Sequence, residues 1–118
     1  EIDSDGIVIA TKSSMKKSLD KINYDYALID SVDLMINKPY FNFNKADSIS
    51  VSVAAASIIA KVCRDSMMSN IYDKLYPDYF FKNNKGYGSN KHIEIMKNIG
   101  LCPIHRKTFK PNSELIRK

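Results

Sequence analysis

The sequence predicts an α/β fold, in which segments typical of strands alternate with segments typical of helices. The run from Tyr26 to Ile29 has the length and composition of a short buried strand. Residues 40–44 read YFNFN and alternate between aromatic and polar side chains, as a half-buried strand does. Helical periodicity precedes these segments over residues 10–22 and follows them from residue 45 onward. With 118 residues, the chain is expected to form one domain with a modest core.

Composition limits the class of protein. Hydrophobic residues make up 44% and charged residues 26% of the chain, which is typical of a soluble globular protein. No apolar run approaches the roughly 20 residues of a membrane span, and the N-terminus carries no apolar secretory segment. The two cysteines, Cys63 and Cys102, lack metal-type spacing, so we expect reduced thiols in a cytoplasmic protein.

The charge is unevenly distributed along the chain. The net charge is +5, and residues 81–118 alone carry +7, whereas residues 1–80 carry −2. A basic C-terminal third favours a polyanionic partner, most simply a nucleic acid. A lysine-rich solvated surface remains the alternative, because charge alone does not identify a partner.

The first helix and the first strand lead to a candidate carboxylate. Met15, Leu19 and Ile22 fall on one face of the helix predicted over residues 10–22, and this helix is expected to cover a sheet. The strand that follows ends in Asp30, and α/β folds place their sites at the carboxyl ends of strands. Alternatively, Asp30 only begins the next turn. Asp33, a competing candidate, lies beyond the strand and is expected to face water.

The long helix carries a second candidate carboxylate. Asp47 and Ser48 are good N-caps for a helix that continues through Asp65 to about Leu75. At about 100° per residue, the apolar residues closest to Asp65 around the helix form a stripe: Val51, Ala54, Ile58, Met68 and Tyr72. A carboxylate in that stripe needs a partner, which is either an ion pair with Lys61 or a functional ligand.

The C-terminal part contains a glycine loop and a basic loop. Residues 82–88 read KNNKGYG, in which glycines allow close approach of the backbone to a ligand and lysines meet phosphates. The tyrosine between the glycines could stack on a base or sugar, and an ordinary glycine turn with a packed tyrosine is the alternative. Ser89 is predicted to cap a helix that runs to Ile99 and ends at Gly100. A final loop reads HRKTF at residues 105–109.

Four motifs in one order carry a resemblance to a known family. They are LID at 28–30, KAD with AAASIIAKVCRD at 45–65, YPDYFFKNNKGYG at 76–88, and HRKTF at 105–109. This ordered set resembles the type 2 ribonucleases H, the ribonuclease HII family. The resemblance implies a ribonuclease H-like α/β fold, of which this chain would hold central-sheet strands, the long helix and the helical C-terminal part.

The resemblance also implies site residues. Asp30 and Asp65 match two of the family's four carboxylates, and they are expected to act in catalysis as ligands of two Mg²⁺ or Mn²⁺ ions, with carboxylates about 4–8 Å apart. The other two carboxylates lie in an N-terminal DEAGRG-type motif that nothing here matches, so residues 1–118 look like a single domain truncated at its N-terminus. Contacts with nucleic acid are expected from Lys45, Lys61, Arg64, Lys85, Gly86, Tyr87, Gly88, His105 and Arg106.

The implied function is an endoribonuclease that cleaves the RNA strand of RNA–DNA hybrids and cuts at ribonucleotides embedded in DNA. The implied partners are those duplexes, with no protein partner and no membrane. With two ligands of four, the isolated chain is expected to be nearly inactive. The alternatives are a non-catalytic nucleic-acid-binding remnant of the family and a generic basic interaction module. Three positions depart from the family pattern, namely Ser31, Ala46 and Asn84, where the family usually has Gly, Gly and His.

Overall fold

The computed structural model describes residues 1–116, so the last two basic residues of the charge count lie outside the described residues. The chain forms two compact units that divide between Ala60 and Lys61. The expectation of one domain over residues 1–118 therefore stays a prediction. Across the described range, no helix combines the length and apolar content that crossing a membrane requires.

The first unit begins with two helices that meet at a glycine. α1 spans Ile2–Asp5 and α2 spans Ile7–Leu19. Gly6 joins them at φ 84°, a left-handed conformation that glycine adopts without steric cost. The helix predicted over residues 10–22 thus exists but starts and ends three residues earlier, and Ile22 is 59% exposed instead of packed.

The two predicted strands follow, and they pair as a two-stranded parallel sheet. β1 spans Ala27–Asp30 and β2 spans Tyr40–Phe43, with Ala27 opposite Tyr40 and Asp30 opposite Phe43. The small core of this unit contains Ala27, Ile29 and Leu34, against which Met15, Leu19, Tyr24, Val32, Ile36 and Tyr40 pack. Together, the helices and the parallel sheet confirm the predicted partial α/β fold.

The start of the long helix differs from the prediction. α3 spans Ala46–Ile49, the chain is extended at Ser50, and α4 spans Val51–Met67. Asp47 and Ser48 therefore lie inside α3 and do not cap α4, so that prediction was wrong. Ser50 takes the N-cap place, since its Oγ lies 3.5 Å from the amide N of Val53. The side-chain oxygens of all three residues look equally suitable as caps in the sequence.

The apolar stripe of the long helix is only partly covered. Val51 and Ile58 are 86% and 64% exposed, whereas Met68 and Tyr72 are half-buried. The N-terminal part of the stripe is therefore exposed. Two strands spaced about 4.8 Å apart present too narrow a surface to cover a helix of this length.

The second unit is helical. After α4 the chain forms a π-helical turn over Met68–Tyr72, α5 over Asp73–Leu75, and a 3₁₀ turn over Pro77–Tyr79. α6 spans Phe81–Asn84, α7 spans Asn90–Ile99 and α8 spans Asn112–Leu115.

The predicted cap and stop of α7 are confirmed. Ser89 accepts a hydrogen bond from the amide of His92, and Gly100 ends the helix at φ 84°. A core of Tyr79, Phe81, Met96 and Cys102 forms beneath α7.

Candidate nucleic-acid and metal site

Asp30 lies at the carboxyl end of β1 and is held by the start of α3. Its Oδ1 accepts hydrogen bonds from the amide of Ala46 and the hydroxyl of Ser31, both at 3.0 Å. Ala46 is fully buried, which fixes this contact in the first unit. Among the residues that the structure describes, no partner bonds to Oδ2 of Asp30, so this carboxylate is oriented and keeps an oxygen available to a ligand.

Asp33 has a different environment, consistent with its lower rank as a candidate. It is exposed, and its Oδ1 accepts hydrogen bonds from the Tyr40 hydroxyl and the amide of Met35. The bond from Tyr40 is the main reason that the pKa of Asp33 lies below its usual value. The contacts of Asp33 therefore stabilise the loop between the two strands.

Asp65 lies in the second unit and is paired with two cations. Lys61 Nζ lies 2.8 Å from Oδ2, and Arg64 Nη1 lies 3.1 Å from Oδ1. The hydrogen bond from Lys61 is the main cause that holds the pKa of Asp65 below its usual value. Desolvation is the next largest effect and opposes it, and the hydrogen bond from Arg64 lowers the pKa further. The Asp65 side chain is 27% exposed, so it is less buried than the apolar stripe suggested.

Tyr87 stands beside this ion pair with its ring half exposed. Lys61 Nζ lies 4.5 Å and the Arg64 guanidinium 4.6 Å from the ring centroid, which are cation–π distances. Lys61 also donates a hydrogen bond to the Tyr87 hydroxyl. Because Tyr87 is 51% exposed, the alternative of a tyrosine packed in the core does not apply. Lys61, Arg64, Asp65 and Tyr87 form the cluster that we call the Tyr87 patch.

The loop that carries Tyr87 is shaped by its neighbours. Gly86 has φ 75°, and a Cβ there would lie 3.2 Å from Met68 Cε, whereas a Cβ at Gly88 would meet no atom within 4 Å. Lys85 is itself left-handed at φ 51°, and its ammonium donates to the Ser69 hydroxyl and the Lys82 carbonyl. An ammonium has three protons, so Lys85 would keep one for a phosphate while these two contacts persist.

A groove of about 580 Å³ runs beside the Tyr87 patch in the second unit. Arg64, Arg106 and Lys110 line it, together with the Gly86–Gly88 loop. The Arg106 guanidinium lies 5.3 Å from the Phe109 ring centroid and is exposed. The groove thus combines several cations with an exposed backbone segment, as a surface that follows a phosphate chain requires.

His105 is half-buried inside this unit, beside a histidine that the sequence analysis overlooked. The Nε2 atoms of His105 and His92 are 3.2 Å apart, and the rings stack with centroids 5.3 Å apart. Burial lowers the pKa of both histidines. The signal for His92 was available, because it stands four residues before Met96 on the inward face of α7.

Lys45 belongs to the first unit. It is exposed, has φ 57° and directly precedes α3, and its carbonyl accepts the amide N–H of Ser48 at 3.0 Å. Its neighbour Ala46 is the residue whose amide binds Asp30. Lys45 therefore lies one residue from a contact of the first candidate carboxylate.

The predicted metal ligands, Asp30 and Asp65, carry the type of ligand atom that a hard divalent ion prefers, but two side chains are fewer than such a site needs. Carboxylate oxygens are the ligands that Mg²⁺ and Mn²⁺ prefer. Within residues 1–116, no group of three or more His, Cys, Asp or Glu side chains is placed to hold a metal ion. Asp30 lies in the first unit and Asp65 in the second, and their common site stays a prediction.

Comparison with known proteins identifies the family. Residues 1–112 match the family described as Ribonuclease HII. The chain is 47% identical over 117 residues to Ribonuclease HII of Enterococcus faecalis, covering 98% of this chain and 46% of that protein. Its identity to the Acholeplasma laidlawii Ribonuclease HII is 44% over 119 residues, covering 99% of this chain and 58% of that protein. The chain spans about half the length of these curated relatives, and it belongs to the ribonuclease HII family.

Proposed function

We propose that this chain forms part of an endoribonuclease that cleaves the RNA strand of RNA–DNA hybrids and cuts at ribonucleotides embedded in DNA. The Tyr87 patch is the observation that supports this most directly. It joins a half-exposed aromatic ring, two cations and a carboxylate within one unit of the chain. Family membership makes a nuclease the function to test first.

The Tyr87 ring is proposed to pack against the sugar or base at the junction of RNA and DNA. A protein distinguishes RNA from DNA at a given position through the 2′-hydroxyl. A flat ring held in place by two cations could detect this hydroxyl by its shape. Gly88 allows the approach, because nothing lies within 4 Å of the position that its Cβ would take.

The cations around the loop are proposed to meet phosphates. Arg106, Lys85 and the Gly86–Gly88 backbone supply these contacts in the groove. Lys61 and Arg64 supply further cations in the same unit, and Lys45 supplies one in the first unit. His105, also expected to contact nucleic acid, has both ring nitrogens engaged by His92 and Cys102, so it is not proposed as a phosphate contact. Contacts of this kind hold the duplex in register but do not themselves read RNA.

Asp30 and Asp65 are proposed as ligands of two Mg²⁺ or Mn²⁺ ions. When bound, such ions activate water and stabilise the leaving oxygen in phosphodiester hydrolysis. What this chain contributes is orientation: the Ala46 amide fixes the Asp30 carboxylate, while Lys61 and Arg64 hold Asp65 ionised. Two carboxylates leave the ligand set incomplete, so the 118-residue chain alone should be nearly inactive.

The test compares binding to matched hybrid and all-DNA duplexes at several salt concentrations, with a divalent ion that supports binding but not cleavage. Tyr87→Ala should reduce the ratio of the affinity for ribonucleotide-containing duplex to the affinity for all-DNA duplex. Tyr26→Ala is the matched control, since Tyr26 is 55% exposed in the other unit. If Tyr87→Ala lowers both affinities equally, the proposed sugar contact is wrong.

A non-catalytic nucleic-acid-binding remnant is the second candidate. This candidate would bind hybrid without cleaving it in any longer protein that contains the chain. An in-frame DEAGRG-like motif upstream of Glu1 in the gene would support the enzyme, and its absence would support the remnant. A generic basic module would bind hybrid and DNA with no preference and with no effect of Tyr87→Ala.

A further inference from the structure

The buried histidine pair is linked to the glycine loop through one amide side chain. Asn84 Oδ1 accepts the Gly86 amide at 2.7 Å, and its Nδ2 donates to the Tyr79 carbonyl at 2.7 Å. The same Nδ2 lies 3.1 Å from His92 Nδ1. The two short bonds fix which end of the Asn84 side chain is oxygen, because a backbone N–H only donates and a carbonyl only accepts.

The contact between Asn84 and His92 is a hydrogen bond in only one order of protons along the pair. Since Asn84 Nδ2 donates, Nδ1 of His92 accepts, and a neutral His92 carries its proton on Nε2. That proton points to Nε2 of His105, 3.2 Å away, which must then accept. The proton of a neutral His105 is therefore on Nδ1, where Sγ of Cys102 at 3.1 Å and its carbonyl oxygen at 3.3 Å are acceptors.

Each order of protons gives up one contact. The order above gives up the hydrogen bond that the Cys102 amide donates to His105 Nδ1 at 3.0 Å, because that bond needs an unprotonated Nδ1. In the opposite order His105 keeps this bond and donates from Nε2, and His92 turns an Nδ1–H toward the Nδ2 donor of Asn84. That arrangement disrupts the link between the histidines and Gly86, so the two orders predict different loop behaviour.

We propose that His92 and His105 are positioning residues for the Gly86–Gly88 loop, acting through Asn84 and only while both imidazoles are neutral. Protonating His92 would place its Nδ1–H against the Asn84 donor. Protonating His105 would place its Nε2–H against that of His92. Either event breaks the chain of contacts that ends at the Gly86 amide. Its consequence for substrate rests on the proposed function, because this loop is the segment proposed to meet nucleic acid.

The surroundings favour the neutral pair near pH 7. Three cations line the same groove, namely Arg64, Arg106 and Lys110. The remaining titratable neighbours there are tyrosines 72, 79 and 87, and Cys102. Among the described residues that line the groove there is no carboxylate to stabilise a charged imidazole. Burial is the main cause that lowers the pKa of both histidines, and His105 adds to this effect at His92. A backbone hydrogen bond at Tyr79 opposes the lowering of the pKa of His92, and one at Cys102 opposes it at His105.

The proposal is tested on the free chain by NMR, without nucleic acid. The ¹⁵N shifts of the imidazole nitrogens should report His92 protonated at Nε2 and His105 at Nδ1. On acidification, the Gly86 amide proton should shift with the midpoint of the histidine pair. A Gly86 signal that does not change across that midpoint, or a His92 protonated at Nδ1, would overturn the proposal.

Asn84→Asp separates positioning from simple packing. The aspartate has the shape of asparagine and still accepts from Gly86, but it replaces the donor at His92 with an acceptor. Asn84→Asp should therefore raise the midpoint of His92 protonation by about 1 pH unit or more. Asn83→Asp adds the same charge one residue away on the exposed side of α6 and should move the midpoint much less. Equal shifts in the two variants would refute the proposed coupling.

Hybrid binding measured across the same pH range separates this inference from the proposed function. Coupled histidine and Gly86 signals with no hybrid binding at any pH would refute the function and leave the positioning role intact. Hybrid binding with uncoupled signals would refute the positioning role and leave the function intact. We expect coupled histidine and Gly86 signals together with hybrid binding, and we expect the affinity for hybrid to decrease as the histidine pair becomes protonated.

Discussion

Replacing Gly86 by alanine tests whether the glycine loop has the shape that the proposed function needs. Gly86 has φ 75°, in the left-handed region where a Cβ meets the backbone. Its neighbour in the motif, Gly88, has no such φ and no atom within 4 Å of a would-be Cβ. The pair of substitutions therefore adds the same methyl group at two positions that differ in backbone conformation and space.

The expected cost at Gly86 follows from two contributions. An L-residue in the left-handed region costs about 1–2 kcal/mol. The new Cβ would also lie 3.2 Å from Met68 Cε, the end of a flexible side chain that moves aside at small cost. The lower entropy of the unfolded alanine chain offsets part of this, by about 0.4–1 kcal/mol. We expect Gly86→Ala to lower the free energy of unfolding by about 1 kcal/mol and Gly88→Ala to change it by less than about 0.5 kcal/mol.

Urea denaturation of the three proteins, followed by circular dichroism, measures both values. Thermal denaturation should agree, since about 1 kcal/mol corresponds to a decrease in Tm of about 4–8 °C for a domain of 60–100 residues. Hybrid binding is then measured under conditions where all three proteins are folded. A loss of affinity in Gly88→Ala at unchanged stability would show that the substrate approaches this backbone.

Equal stabilities of the two variants would refute the reasoning, because the left-handed conformation at Gly86 would then carry no energetic weight. Greater destabilisation by Gly88→Ala would contradict it more strongly. A Gly88 variant that binds hybrid as the unmodified chain does would instead count against close approach at that position, whatever its stability.

Three further predictions concern catalysis, pH and substrate binding. In a longer protein that contains this chain, Asp30→Asn or Asp65→Asn should leave hybrid binding intact and lower the rate of hybrid cleavage. The decrease should exceed the roughly 10–100-fold that is typical when a residue that hydrogen-bonds to a metal ligand is replaced. A variant that cleaves at the original rate would show that the replaced aspartate is not a ligand. Because the pKa values of His92 and His105 are lowered in the folded chain, the unfolded chain binds more protons below about pH 6.5. The contribution of the two neutral histidines to stability is therefore full above that pH, and it decreases as the pH falls toward the pKa values of the folded chain. Urea denaturation should give a lower free energy of unfolding at pH 5 than at pH 7, and a higher value at pH 5 would contradict this prediction. Arg106→Ala should weaken binding to hybrid and DNA alike and reduce the salt slope by about 1; a change confined to hybrid would mean that Arg106 reads RNA.

The sequence predicted the elements whose signals are local. The strand before Asp30, the strand from Tyr40, the cap at Ser89 and the stop at Gly100 were all found where expected. Each depends on the residues next to it, such as a hydroxyl before a helix or a glycine after one. The family could also be predicted, because an ordered set of motifs is more specific than any one of its members.

The features that failed depend on contacts distant in sequence. Helical periodicity placed Val51 and Ile58 on an apolar face, but it could not show that these two side chains are exposed. Periodicity could place His92 on the inward face of its helix, but it could not show the partners of His92, which are His105 thirteen residues later and Asn84 before it. Hydrogen-bond order in such a cluster depends on three-dimensional contacts, and sequence patterns contain little information about them.

The ion pair at Asp65 shows why a structural role and a functional role need not exclude each other. Lys61 bonds to the Asp65 carboxylate and to the Tyr87 hydroxyl, so one ammonium holds both the candidate ligand and the candidate sugar contact. Lys61 is half exposed, and pairs this exposed contribute little to folding stability. A pair of low energetic weight is easily exchanged for a stronger partner, such as a phosphate for Lys61 or a divalent ion for Asp65. The contact that first suggested a purely structural carboxylate is therefore also the contact that a nuclease site would have to release on binding its substrate.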